Sequence, residues 1–216
     1  MRTTNPLKGL LIYFIYSTGW RLAIVYLQAI AWGIAFLIFG NAILHMLFGI
    51  NAIAGATILV ITGMGNKEID WERFQLSMPV RRRDLASSQY LSVGLAPLIG
   101  IPLFVAFTGL SSIWHEDVYF TLSTIITSIS PFLSMPLILG GLIFPLACVK
   151  PLQDKAEGFF PILMLASIVI PQLVVMGADR LGWPMAVASP LILVVSVFIF
   201  IISYFITRGL YAKLDF

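Results

Sequence analysis

Long uncharged apolar runs, separated by short polar stretches, organise this chain from end to end. About twenty such residues, rising 1.5 Å each as a helix, span the roughly 30 Å hydrocarbon core of a bilayer. Runs of that order occur at Leu22 to Phe39, Met46 to Met64, Leu85 to Leu110, Tyr119 to Val149, Phe159 to Gly177 and Met185 to Thr207. The predicted fold class is an all-α polytopic membrane protein, with six transmembrane helices in a single domain over residues 1–216.

Ahead of the first run, Leu7 to Tyr16 is apolar as well. Joined to Leu22–Phe39 it would make a helix far longer than the bilayer needs, so residues 5–19 are expected to form a separate interfacial elbow helix. Ser17-Thr18-Gly19 is the predicted break, and Lys8, Tyr13, Tyr16, Trp20 and Arg21 supply boundary anchors. No A-x-A-like cleavage site directly follows Tyr16, which argues against a signal peptide.

Charge then orients the spans. Twelve of the 13 lysines and arginines fall on one side of the alternating runs, and only Arg180, beside Asp179, falls on the other, with Glu116 and Asp117. Positive residues are retained on the cytoplasmic side, so both termini are expected there. The net charge of +3 is thereby a topology and lipid-headgroup signal rather than a nucleic-acid footprint.

Composition narrows the chemistry. Hydrophobic residues make up 59% and charged ones 11% of the 216 positions, a balance no soluble core can use. The single Cys148 forms no disulfide framework or cysteine-rich metal site, and His45 and His115 are too few and too far apart for a histidine site, so no metal is predicted. All six spans lack Asp, Glu, Lys and Arg, the usual carriers of intramembrane proton relays and acid–base catalysis. No nucleophile elbow is present either, and no catalytic residue is assigned. Polar groups within the spans, among them Gln28, Asn51, Gln89, Gln172, Ser123, Thr124, Thr127, Ser128 and Ser130, are expected to bond neighbouring helices or their own backbone. Prolines cluster at Pro97 and Pro102, at Pro131, Pro136 and Pro145, and at Pro161 and Pro171; each removes a backbone hydrogen bond, which makes these seven candidate hinges. Small pairs at four-residue spacing, Ala29 with Gly33 and Ala52 with Ala56, would permit close helix approach.

The longest polar segment is the cytoplasmic loop of residues 66–84, between the second and third spans. Ile69, Trp71, Phe74 and Leu76 interleave with Glu68, Asp70, Glu72 and Arg73 in a stretch able to form a short amphipathic helix that Pro79 stops. Arg81, Arg82 and Arg83 form a basic cluster at headgroup height. A solvated loop accounts for the arginines but not for the aromatic residues, which suit docking to a partner or packing on the membrane surface.

The run Glu72-Arg73-Phe74, Leu76-Ser77-Met78-Pro79-Val80, Arg82 and Asp84, followed by Tyr90-Leu91-Ser92, resembles the corresponding segment of small permease subunits of ABC exporters of the type-2 class. The ending, Tyr204 to Arg208 and then Tyr211 to Phe216, is similar to theirs; Arg81, Gln89 and Leu214 depart from the pattern. The resemblance implies an elbow helix plus six spans in a bacterial cell membrane. It also implies a coupling helix (Glu68, Asp70, Trp71, Glu72, Arg73, Phe74, Leu76) docked on a separate ABC ATP-binding subunit, and a second permease copy or paralogue completing a dimer. The expected cargo is hydrophobic or amphipathic: peptides, toxins or antimicrobials. The chain has no Gly-x-x-x-x-Gly-Lys-Ser/Thr loop, so ATP and Mg2+ would belong to the partner and no cofactor to this chain. Two other readings fit the same size and span count: a membrane subunit that captures a vitamin-like ligand, and a non-transporting immunity or assembly protein.

Overall fold

The computed structural model describes residues 6–55, 57, 82–115, 121–147 and 150–213. Within them the chain forms a bundle of six helices: α1 (Pro6–Phe39), α2 (Ala42–Gly49, continuing as a π-helix over Ile50–Ala54), α3 (Arg82–Trp114), α4 (Leu122–Ala147), α5 (Lys150–Arg180) and α6 (Met185–Lys213). Five contain an apolar stretch long enough to cross a membrane (Leu22–Phe39, Ala86–Trp114, Leu122–Leu146, Pro161–Arg180 and Met185–Leu210), and Ala42–Ala54 is a shorter apolar helix. Large apolar side chains cover the outside, and Trp114 and Trp183 are exposed at the turn end, as suits a membrane interface.

Two expectations change. The predicted break at Ser17-Thr18-Gly19 does not occur, because α1 is one helix of 34 residues. Ser and Thr disfavour a helix only slightly and Gly by about 1 kcal/mol, and without a proline this is too little to stop a helix flanked by good formers. The polar stretch Lys150 to Lys155, expected from its place between the fourth and fifth apolar runs to be a connecting loop, is likewise the first part of α5. Pro151 stands at the second helical position, where its missing N–H has no in-helix partner to lose.

Local chemistry sets the turns. Gly40 has a φ of 61°, Asn41 Oδ1 accepts from the Ile43 amide at 2.8 Å, and α2 starts immediately. The end of α5 is a glycine cap: Gly182 has a φ of 75°, and the amides of Gly182 and Trp183 bond the carbonyls of Asp179 and Ala178 at 2.9 Å each. Both turns lie at the same end of the bundle as His115. Its Nε2 bonds the Leu37 carbonyl at 2.9 Å, which places the ring proton on that nitrogen and ties the end of α3 to α1.

Helix α4 is the hub. Inside the bundle, 56% of its span window is buried, against 17% for those of α1, α5 and α6. One buried cluster joins α1, α2, α3 and α4 through Ala29, Phe36, Phe48, Ile53, Phe104 and Phe132. There Gly33 faces Phe107, so a methyl at Gly33 would lie 2.7 Å from that ring. Ala29 and Gly33 thus do permit close approach, of α1 to α3. Ala52 lies against Gly100 so closely that a methyl at Gly100 would overlap the Ala52 carbonyl. The second cluster joins α3, α4 and α6 and contains the site described next.

Candidate functional site

Glu68, Asp70, Trp71, Glu72, Arg73, Phe74, Leu76 and Arg81 lie outside the described residues, and Arg82 and Arg83 open α3. The first turns of α3 are the part of the described bundle that follows that segment in sequence. Ser87 and Tyr90, three residues apart, fall on one face there.

Both reach α6. The Tyr90 hydroxyl lies 2.5 Å from Ser203 Oγ and 2.7 Å from Thr207 Oγ1. Ser203 Oγ lies 2.6 Å from the Gly141 carbonyl of α4. A carbonyl only accepts, so the Ser203 proton goes to Gly141; Ser203 then accepts from Tyr90, and Tyr90 accepts from Thr207. The outcome is a directed chain from Thr207 through Tyr90 and Ser203 to Gly141, with each hydroxyl proton used once. A reciprocal contact lies beside it, where Tyr204 of α6 meets Ser87 of α3 at 3.0 Å.

The end of this chain has a cause in the sequence. Pro145 follows Gly141 by four residues, so the amide that would normally bond the Gly141 carbonyl is missing. Ser203 supplies the substitute. Aromatic packing encloses the network: the Tyr90 ring lies 4.7 Å from Phe144, 4.9 Å from Phe200 and 5.4 Å, edge-on, from Tyr204. Tyr90 is only 4% exposed and Ser203 and Thr207 equally enclosed, so these bonds are out of competition with water.

The seven candidate-hinge prolines all lie inside helices that continue past them: Pro97 and Pro102 in α3, Pro131, Pro136 and Pro145 in α4, and Pro161 and Pro171 in α5. Pro190, in α6, joins them. Among the polar residues of the spans, Asn51 bonds the Leu47 carbonyl and Ser130 the Ile126 carbonyl, one turn back in each case. Sequence reasoning singled out Tyr90 and Tyr204 only as parts of separate motifs, and did not select Ser87, Gly141, Ser203 or Thr207. The available signals were the Gly141 to Pro145 spacing and the hydroxyls of Ser203 and Thr207 one turn apart on a mostly apolar helix.

No three His, Cys, Asp or Glu side chains among the described residues are grouped to hold a metal. The site's hydroxyls bond one another and a backbone carbonyl, and its geometry is that of a structural tie among three helices. Over residues 10–212 the sequence matches the family described as ABC-2 family transporter protein. The chain belongs to the ABC-2 transporter family. No curated protein and no solved structure matches it. As an ABC-2 protein it is a membrane permease subunit rather than an enzyme, and it pairs with an ATP-binding cassette subunit. The site of the ABC-2 chain is thus a tie between its α3, which leads out of the polar loop, and its hub helix.

Proposed function

We propose that this ABC-2 chain is the membrane-spanning half of an ATP-driven exporter for hydrophobic or amphipathic cargo such as peptides, toxins or antimicrobials. Both termini and the 66–84 loop are cytoplasmic in this reading. Glu68 to Leu76 seat in the ATP-binding subunit, with Trp71 and Phe74 as the apolar insert and Glu72 and Arg73 as the polar contacts. The observation that carries the reading is the tie of α3 to α6 and α4 through Tyr90, Ser203 and Gly141. A displacement of the loop reaches α3 first, and a buried, fully paired tie makes α6 and the hub move with it. The apolar spans suit a lipid-soluble or amphipathic cargo and hold no charge through which an ion gradient could act.

Co-expression with the ATP-binding subunit tests the proposal. The expected result is co-purification and stimulation of ATP turnover, both lost in Trp71→Ala with membrane insertion intact. A chain that neither retains nor stimulates the ATP-binding subunit is not this permease.

A further inference from the structure

We infer that the wedge between α1, α2 and α3 at the turn end of the bundle is a site for internal water, held by His45, Thr108 and Ser111. Six buried side-chain polar atoms among the described residues have no hydrogen-bond partner on the protein, and three of them are His45 Nε2, Thr108 Oγ1 and Ser111 Oγ. Thr108 is only 4% exposed and Ser111 0%, so bulk solvent does not serve them. A serine or threonine inside a helix often returns its proton to the carbonyl one turn back, as Ser92, Ser130, Ser134 and Ser196 do in this bundle. Thr108 and Ser111 make no such bond, which leaves both hydroxyls for a partner off the helix. Buried polar groups without protein partners are rare, and internal water is the common reason for them.

The three atoms share one wedge. Phe104, Thr108, Ser111 and His115 follow one another at spacings of four, three and four residues and so line one face of α3. At one end of that face the Phe104 ring lies 5.1 Å from His45 and stacks at 5.5 Å on Phe48, both on α2. At the other end His115 bonds the Leu37 carbonyl of α1, and its ring sits on the turn before α2, where a methyl at Gly40 would lie 2.7 Å from Nδ1. Thr108 and Ser111 occupy the levels between, alongside the stretch of chain from Gly40 to His45. Phe36 of α1 closes the remaining side, 4.8 Å from the His45 ring. Measured from Trp114, the end of the α3 span, Ser111 is about 4.5 Å and Thr108 about 9 Å deep, within reach of water from the headgroup region.

The chemistry of the wedge selects its occupant. Two hydroxyls, each able to donate and accept, and one imidazole nitrogen call for a ligand that does both. An ion would give up its hydration among Phe36, Phe104 and Phe132 without a counter-charge, since α2 and the spans of α1 and α3 carry no Asp, Glu, Lys or Arg. An apolar molecule would leave all three atoms unpaired. Water is neutral, small and able to bond several partners at once.

Solid-state NMR of the full-length chain in lipid bilayers tests this, with histidine, threonine, isoleucine and phenylalanine isotopically labelled and magnetisation transferred from water. Early transfer is expected at His45 and Thr108, while Ile53 and Phe104, equally buried but apolar, lag behind. Combining Thr108→Val with Ser111→Ala should abolish the early transfer at His45 and move its ring nitrogen resonance, with Ile53 unchanged. Thr108→Ser, which keeps the hydroxyl, should preserve both signals. Late transfer at His45 and Thr108 in the unsubstituted chain overturns the site, whether or not the double variant folds. So does early transfer that survives the double substitution, or transfer as early at Ile53 and Phe104, which would mean a bundle end open to solvent.

Discussion

Replacing Ser203 by alanine tests whether the site is held together by the carbonyl that Pro145 leaves open. In the wild-type chain the substitution removes the side-chain donor to the Gly141 carbonyl and the acceptor for the Tyr90 hydroxyl. An unsatisfied buried carbonyl costs about 1–3 kcal/mol, and an interhelical side-chain bond in a membrane protein is worth about 0.6 kcal/mol. S203A should therefore destabilise the chain by about 2–3 kcal/mol. In a P145A background the residue at 145 regains an amide, which bonds the Gly141 carbonyl within α4, and S203A then removes only the Tyr90 contact. Its cost should fall to about 1 kcal/mol or less. Reversible unfolding in mixed micelles measures all four corners of this double-mutant cycle. An S203A cost that is the same in both backgrounds refutes the account, because the serine would then owe its effect to something other than the proline.

Further outcomes follow from the same packing. Gly100→Ala should sharply lower folded yield, by several kcal/mol of overlap and helix displacement, because its methyl meets the Ala52 carbonyl; normal yield with an unchanged melting temperature would show that the two helices do not meet there. Gly177→Ala is the opposite case, a helical glycine in α5 with nothing within 4 Å of an added methyl, and should raise stability by about 0.5–1 kcal/mol in the same melts. In the reconstituted complex, reversal of the Glu72 charge should abolish ATPase stimulation, and a compensating reversal on the ATP-binding subunit should restore it; absence of any restoring partner would remove Glu72 from the interface. Spin labels near Arg82 and Trp114, read against α4 with and without ATP, should move in opposite senses, and movement in the same sense would exclude rotation about the middle of α3.

The apolar runs made the spans legible because a bilayer fixes both length and polarity at once, and five of them coincide with long apolar helices to within a few residues. The helix ends were less so. Apolar periodicity does not mark where a helix continues into headgroups or water, and α1 and α5 each extend beyond their apolar runs. The π-helix at Ile50–Ala54 had no signature either, since Ile-Asn-Ala-Ile-Ala is an ordinary helical sequence; its wider turn lies where Ala52 packs on Gly100. Tyr90 and Tyr204 stood out as motif residues, but their meeting depends on how α3 and α6 are brought together, which no local pattern encodes. Pro145 marked the place more openly. A proline in a buried helix announces a carbonyl in need of a donor, and the only unknown was which neighbour supplied it.

Helix α3 combines the features of a lever. Its first turns follow the polar loop, Tyr90 ties it to α6 and α4, and its end is held to α1 by His115. Between these, Gly100 touches the Ala52 carbonyl backbone to backbone, with no flexible side chain between them to absorb a shift. Such a contact resists translation along its line but permits rotation, as a pivot must. Arg82 stands about 27 Å from it and Trp114 about 21 Å in the other direction at 1.5 Å per residue, so the arms are nearly equal. Pro97 and Pro102 flank the pivot, and each leaves a carbonyl, of Val93 and Leu98, without its usual donor, which lowers the cost of bending there. A push on the loop in the proposed cycle is thus shared two ways: through the Tyr90 tie into α6 and the hub on the near side, and through the pivot into the α1–α2 turn on the far side.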